Sequence, residues 1–256
     1  MDIKAQYQEQ GFVRLANFFS ANELNVIKPV VKRFHQSWTA ANQSFYQARA
    51  INSAYLTGNK HLTEAQRNTF FQWLSSKKLS SIVSDILGEK ACFLNTQLFF
   101  NPVNPEQKNY WHRDPQYHLS LEEQKLALSG PDVVHIRIPL ADEPGIELVP
   151  KSHRKWDTQR QLDVRLSQNG ATPSDELDEG QTIALNTGDV LVFSGLMIHR
   201  GLYGKQRLAL DVLYCDEAPD IVMHCEQDCL PSNAQLAIMQ EPFPFANTLA
   251  IKSMGC

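Results

Sequence analysis

The sequence predicts a mainly β core with α additions: a double-stranded β-helix of the jelly-roll or cupin-like kind, preceded by N-terminal helices. Three observations carry this expectation. Helical periodicity is confined to the first 88 residues, period-two alternation takes over after Gly88, and the later strands are short and joined by long irregular connections. A chain of 256 residues can bury one substantial core. The expected layout is a single domain over 1–256, with a mainly helical part at 1–88, a jelly-roll core at 89–216 and a C-terminal extension at 217–256.

Ser20-Ala21-Asn22-Glu23 has the form of a capping box, in which the serine and the glutamate each satisfy a backbone N–H that the helix start would orphan. Leu24, Ile27, Val31 and Phe34 then recur at helical spacing, while Pro29 predicts a kink or a delayed start. A second box, Thr63-Glu64-Ala65-Gln66, opens a run with Phe70, Phe71 and Leu74. The stripe Leu79, Ile82, Val83, Ile86 stops near Gly88, a suitable C-cap. Strands are expected at Ala91–Phe100, Val133–Pro139, Thr182–Leu185, Val190–Phe193 and Arg207–Tyr214, each bounded by turn-forming residues. The polar stretch Lys155–Asp178 reads as an exposed insertion with room for one helix. The tail beyond Cys215, with Pro242 and Pro244, is expected outside the barrel or at an interface.

A net charge of -4 with intermixed signs provides no basic field for nucleic acid. Met1-Asp2-Ile3-Lys4 leads into polar residues, unlike a signal peptide, and no segment approaches the roughly 20 apolar residues of a membrane span. Five cysteines (Cys92, Cys215, Cys225, Cys229, Cys256) fit a reducing compartment. The expectation is a cytoplasmic monomer or homodimer with no nucleic-acid or membrane partner. His224-Cys225 with Cys229 and Cys215 is a weak zinc pattern.

The chemistry concentrates in His112-Arg113-Asp114, His199 and Arg207. Residues two apart on a strand face one side, so His112 and Asp114 can aim at one ion while Arg113 points elsewhere. His199 follows the apolar run Val190–Phe193 and a turn at Gly195, which can return it to the same barrel mouth. Two imidazoles and one carboxylate suit iron(II) and leave coordination positions open; the bland reading is ordinary histidines with ordinary partners. Arg207 heads an alternating strand, and its planar fork matches a carboxylate. The competing reading is an internal salt bridge of Asp211 with Arg207 or Arg137. Asn95, Gln97 and Phe99 alternate on one face of their strand, as do Val133, His135 and Arg137 on another, so these groups face either the interior or solvent.

With these residues in view, the chain resembles the phytanoyl-CoA dioxygenase family of iron(II)- and 2-oxoglutarate-dependent oxygenases. The resemblance runs over about residues 8 to 216, through Gln10-Gly11-Phe12-Val13, Trp111-His112-Arg113-Asp114, the segment Gly145 to Arg154, Gly188 to Phe193, His199-Arg200-Gly201 and the Arg207 strand. It implies His112, Asp114 and His199 as iron ligands and catalytic centre. It also implies Arg207 on the distal carboxylate of 2-oxoglutarate, and Gln97 and His118 near the co-substrate. Gly201 stands where some relatives carry a hydroxyl residue, so Thr96 or Tyr203 is expected to complete that pocket. Pro150-Lys151-Ser152-His153 resembles the family's Pro-Gly-Ser-His turn, with lysine at a position where glycine is less strained and His153 a non-ligand. The retained Asp114 implies a hydroxylase that converts 2-oxoglutarate and O2 to succinate and CO2 while oxidising a small organic substrate. Arg137, His135, Arg113, Phe99, Trp111 and Tyr117 are the candidate substrate contacts. The alternatives are a cupin-like metal enzyme that does not use 2-oxoglutarate, and a non-catalytic ligand-binding jelly roll.

Overall fold

The computed structural model describes residues 2–254; the expectations on Met1 and Cys256 lie outside them. In chain order the elements are α1 (Ile3–Gln10), β1 (Phe12–Leu15), α2 (Ala21–Ala41), α3 (Gln43–Ala48), β2 (Asn52–Ala54), α4 (Glu64–Leu74), α5 (Lys77–Leu87) and β3 (Cys92–Phe100). Then come α6 (Leu121–Ala127), β4 (Val133–Pro139), β5 (Glu143–Leu148), α7 (Gln159–Leu166), β6 (Gln181–Leu185), β7 (Val190–Ser194), β8 (His199–Gly201) and β9 (Leu208–Cys215). The chain closes with α8 (Pro219–Val222), α9 (Asn233–Leu236) and α10 (Phe243–Met254).

Both capping boxes form as expected, at Ser20/Glu23 and Thr63/Gln66. Pro29 neither delays nor ends its helix: α2 starts at Ala21 and continues through it. Two antiparallel sheets make the double-stranded β-helix. One has six strands in the order β1-β7-β4-β9-β3-β2, and the other has three in the order β6-β5-β8. β1, β2, β5 and β8 were not expected as strands, because each is short or lacks alternation and is held by its neighbours.

The six-stranded sheet separates the core from the site. Val134, Ile136 and Ile138 on β4 and Leu210 and Val212 on β9 face Leu24, Ile27, Val31, Phe70 and Ile82 of the N-terminal helices in one apolar cluster. The alternate residues, His135 and Arg137 on β4, Phe193 on β7 and Asp211 on β9, face the barrel interior. The C-terminal extension is part of this packing. Phe245 of α10 stacks on Phe93 of β3 at 4.5 Å, and Thr248 donates to the Phe93 carbonyl at 2.7 Å.

The stretch Lys155–Asp178 is not simply exposed. It holds α7, whose Val164 and Arg165 are buried, and Asp157, whose carboxylate is wholly buried between Arg113 and Arg165. Polar composition misled here because these polar groups satisfy one another inside the protein.

Gly145 sits at the irregularity between β5 and β6 with φ +100°, and a Cβ there would fall inside the van der Waals shell of the Ile183 carbonyl. Gly145→Ala is therefore expected to cost about 3 kcal/mol or more of stability, read as a shift in the urea midpoint. An unchanged midpoint would show that the β5–β6 junction relaxes freely.

Candidate active site

The two histidines are fixed to each other through the backbone. His112 and His199 form an isolated antiparallel bridge, each N–H donating to the other's carbonyl at 2.9 Å. Contrary to the expected strand placement, Asp114 opens a 3-10 turn over Asp114–Tyr117, with its N–H on the Gly195 carbonyl at 3.1 Å. The side chains still converge. One ligand atom from each of His112, Asp114 and His199 lies within 4.8 Å of the others. Asp114 Oδ1 stands 3.7 Å from His112 Nε2 and 3.6 Å from His199 Nε2.

The donor set fits a divalent cation. The Nδ1 atoms of His112 and His199 donate to the carbonyls of Tyr110 (3.1 Å) and Met197 (3.0 Å), which leaves both Nε2 lone pairs aimed into the site. Burial, followed by the neighbouring His112, pushes His199 down to about 3, and burial also lowers His112, so both rings are neutral. Burial alone would raise Asp114, but the charge and hydrogen bond of His135 outweigh it and hold the carboxyl ionised.

His135 is the contact nearest to this carboxylate. Its Nε2 lies 2.7 Å from Asp114 Oδ2, its Nδ1 lies 3.4 Å from Asp211, and its ring stacks on Phe193 at 4.7 Å. Burial opposes its charge, yet the two carboxylates raise it to about 9.

Arg207 lies immediately before β9 and is buried. Its Nη1 donates to the Phe100 carbonyl (3.1 Å), while its buried Nε has no hydrogen-bond partner and lies 3.6 Å from Glu143. Burial, then the neighbouring Arg137, push it down to about 10. An incompletely paired guanidinium in the interior is the signature of a place for an anion. Tyr203 and Phe99 flank it, with ring centroids 5.4 and 5.5 Å from Cζ. Gly201 completes the cradle, since a Cβ there would collide with Arg207 Nη2.

The metal-ligand candidates and Arg207 open onto one cavity of about 1380 Å³, whose wall also includes Gln97, His118, Phe99, Tyr117, His135 and Tyr203. Tyr117 and His118 are on its exposed rim, the latter with its ring 6.5 Å from His224. Tyr110, Glu217 and Glu226 also line the cavity and were not anticipated, because no motif marks them.

Four expectations are corrected. Thr96 does not complete the arginine pocket: its Oγ1 accepts the Leu56 N–H at 2.9 Å, fully buried on the other face of β3. Trp111 is core rather than pocket; its indole donates to the Asp175 carbonyl at 3.0 Å among Val149, Val164 and Ile198. Arg113 is committed to Asp157 at 2.7 Å and to the carbonyls of Ser152, Leu196 and Lys155. Arg137 is committed to Glu143 (2.7 and 2.8 Å) and to its cross-strand partner Asp211 (2.8 Å). Glu143, the residue that neutralises Arg137, had no sequence signal beyond the need of a buried arginine for a counter-charge.

His153 is not among the converging groups; its Nε2 faces the Gln8 carbonyl at 3.3 Å. Lys151 takes up the left-handed conformation that the turn demands, φ 66°. The zinc pattern is not assembled. Among the described residues, His112, Asp114 and His199 are the one group placed to share an ion, and burial raises Cys225 to about 12 and Cys229 to about 11.

A jelly roll with two histidines and a carboxylate converging on one cavity has the donor set of the non-haem iron(II) oxygenases. The chain belongs to the Phytanoyl-CoA dioxygenase (PhyH) family, whose model matches residues 7–203. No curated protein matches it by sequence. Solved structures share the fold at low identity. AviO1 from Streptomyces viridochromogenes Tue57 superposes with a TM-score of 0.59 at 17% identity, over 84% of this chain and 94% of that one. HygX from Streptomyces hygroscopicus, with nickel and 2-oxoglutarate bound, gives 0.59 at 16%, over 82% and 84%. EctD from S. alaskensis, with 2-oxoglutarate and 5-hydroxyectoine, gives 0.55 at 13%, over 83% and 74%. No described helix is long and apolar enough to cross a membrane.

Proposed function

We propose that this protein is an iron(II)- and 2-oxoglutarate-dependent hydroxylase of a small organic substrate, releasing succinate and CO2. The observation that carries the proposal is the placement of two free Nε2 atoms, an ionised carboxylate and an under-paired buried arginine on one cavity wall. His112, Asp114 and His199 would hold the metal, which supplies oxygen activation when bound. Arg207, with Tyr203 beside it and Gln97 on the same wall, would hold the distal carboxylate of 2-oxoglutarate. The protein's own contribution is to orient both reactants within the cavity.

The cavity wall also bears on substrate class. Arg207 and Lys252 are its only arginine or lysine side chains among the described residues, whereas Asp220 and Glu226 stand on it, together with Glu217, which is paired with Lys90 at 2.7 Å. Lys252 donates to the Met223 and Cys225 carbonyls, at 3.4 and 2.8 Å. Such a wall favours a neutral or cationic substrate and disfavours a phosphate-rich thioester, despite the family's name. Millimolar coenzyme A is accordingly expected to leave turnover unchanged; competitive inhibition by it would refute this reading.

The decisive assay is oxygen-dependent succinate release with a mass gain of 16 on a screened substrate. Two variants test the arginine pocket. Arg207→Ala is expected to keep the metal but weaken 2-oxoglutarate binding by about a hundredfold, the loss of a bidentate charged contact. Gly201→Ala, which intrudes on Arg207, is expected to act in the same direction by about tenfold. Normal 2-oxoglutarate affinity in Arg207→Ala would sink the assignment of Arg207, whereas absence of oxygen-dependent turnover of 2-oxoglutarate to succinate would leave the cupin-like alternative standing.

A further inference from the structure

The carboxylate of Asp114 is divided between two tasks. Oδ1 faces His112 Nε2 and His199 Nε2, at 3.7 and 3.6 Å, while Oδ2 is already engaged by His135 Nε2 at 2.7 Å. Gly195 leaves the space that Oδ2 occupies, since a Cβ there would come within 2.7 Å of it. We infer that His135 is a positioning residue that holds Asp114 in a one-oxygen presentation to the metal, rather than a contact for substrate. The inference rests on the metal-site reading above and extends it.

His135 is itself held from two sides. Its position on β4 sets it opposite Phe193 of β7, on whose ring it stacks at 4.7 Å. Its Nδ1 faces Asp211 at 3.4 Å. Asp211 is in turn locked by Arg137 at 2.8 Å, and Arg137 by Glu143 at 2.7 Å. The ring therefore has little freedom to follow Asp114, so the carboxylate must follow the ring. A carboxylate free to rotate can present both oxygens to a divalent ion and fill a position that the co-substrate needs. With Oδ2 tied back, that position stays open.

The two nitrogens of His135 can be tested separately. The glutamine amide nitrogen mimics Nε2 and can still donate to Asp114. The asparagine amide nitrogen mimics Nδ1 and keeps only the approach to Asp211. Cobalt(II) added to the apoprotein serves as the probe, because its visible absorption reports coordination number and geometry without turnover. The wild-type protein is expected to bind cobalt(II), and His199→Ala is expected to lose the band. His135→Gln should keep the wild-type spectrum and an affinity within about threefold. His135→Asn and His135→Phe should shift the band and bind about ten- to a hundredfold more weakly, the usual cost of losing such a partner. Because His135→Asn keeps the Asp211 side, it preserves the test if His135→Phe does not fold. Wild-type spectra and affinity in His135→Asn, or a glutamine variant no better than asparagine, would overturn the inference. Failure of the wild type to bind cobalt(II), or binding undisturbed in His199→Ala, would overturn the metal-site reading and the inference with it.

Discussion

Replacing His199 by alanine is expected to abolish metal-dependent succinate release, with a fall on the order of a thousandfold or more. Three groups define the site, and loss of one removes several kcal/mol of metal-supplied stabilisation from the reaction. His199 is the sharpest choice because its backbone stays useful in the variant. The bridge to His112 is made by main-chain atoms at 2.9 Å, so the alanine protein retains the β8 pairing and the fold. His112→Ala is expected to give the same loss of activity. Metal content by atomic absorption and succinate by mass spectrometry separate the two requirements. Substantial activity in a folded His199→Ala protein would reject the proposed centre.

Asp157→Ala is expected to be among the most destabilising single substitutions in the chain. Asp157 accepts from Arg113 at 2.7 Å and from Arg165 at 2.6 Å, and all three side chains are almost wholly buried. Removing the carboxylate leaves two guanidinium groups uncompensated in the interior, at a cost of about 3–5 kcal/mol. For a chain of this size that corresponds to a fall in Tm of about 10 °C. Arg113 also donates to the Ser152, Leu196 and Lys155 carbonyls, so the same ion pair ties the metal-ligand loop to the turn at 152 and to the segment before His199. A lowered metal affinity should accompany the lost stability. A Tm within about 2 °C of wild type would show that water or a neighbouring acid replaces Asp157.

Local signals were legible in the chain. Ser20/Glu23 and Thr63/Gln66 announce helix starts because capping is satisfied within four residues, and the structure forms both boxes. Alternation at Val133–Pro139 announced β4 with the bounds that the structure has. Strands of three or four residues, such as β1, β2 and β8, were not legible. They carry too few residues to show a period, and their hydrogen bonds come from partners distant in sequence.

Buried charge was the hardest feature to read. Arg113, Arg137 and Arg207 are the same residue type, and the order of residues does not say which one is fully paired. Arg137 stands directly across from Asp211 and beside Glu143, whereas Arg207 shares Glu143 at 3.6 Å and keeps an unpartnered Nε. That difference arises from the register of β4 against β9, which sets Arg137 opposite Asp211, and from the packing of the two sheets, which brings Glu143 of β5 against Arg137.

By itself the sequence determined the kind of fold and the family, because periodicity, capping and a spaced His-x-Asp with a distal histidine are properties of short segments. The tertiary structure decided which polar groups are spent on one another and which remain for ligands. It withdrew Thr96, Trp111, Arg113 and Arg137 from the pocket, and it turned His135 toward Asp114. The physical reason is that burying a charge or a hydrogen-bonding group requires a partner, and partners are assigned by through-space neighbours that only the closed barrel creates.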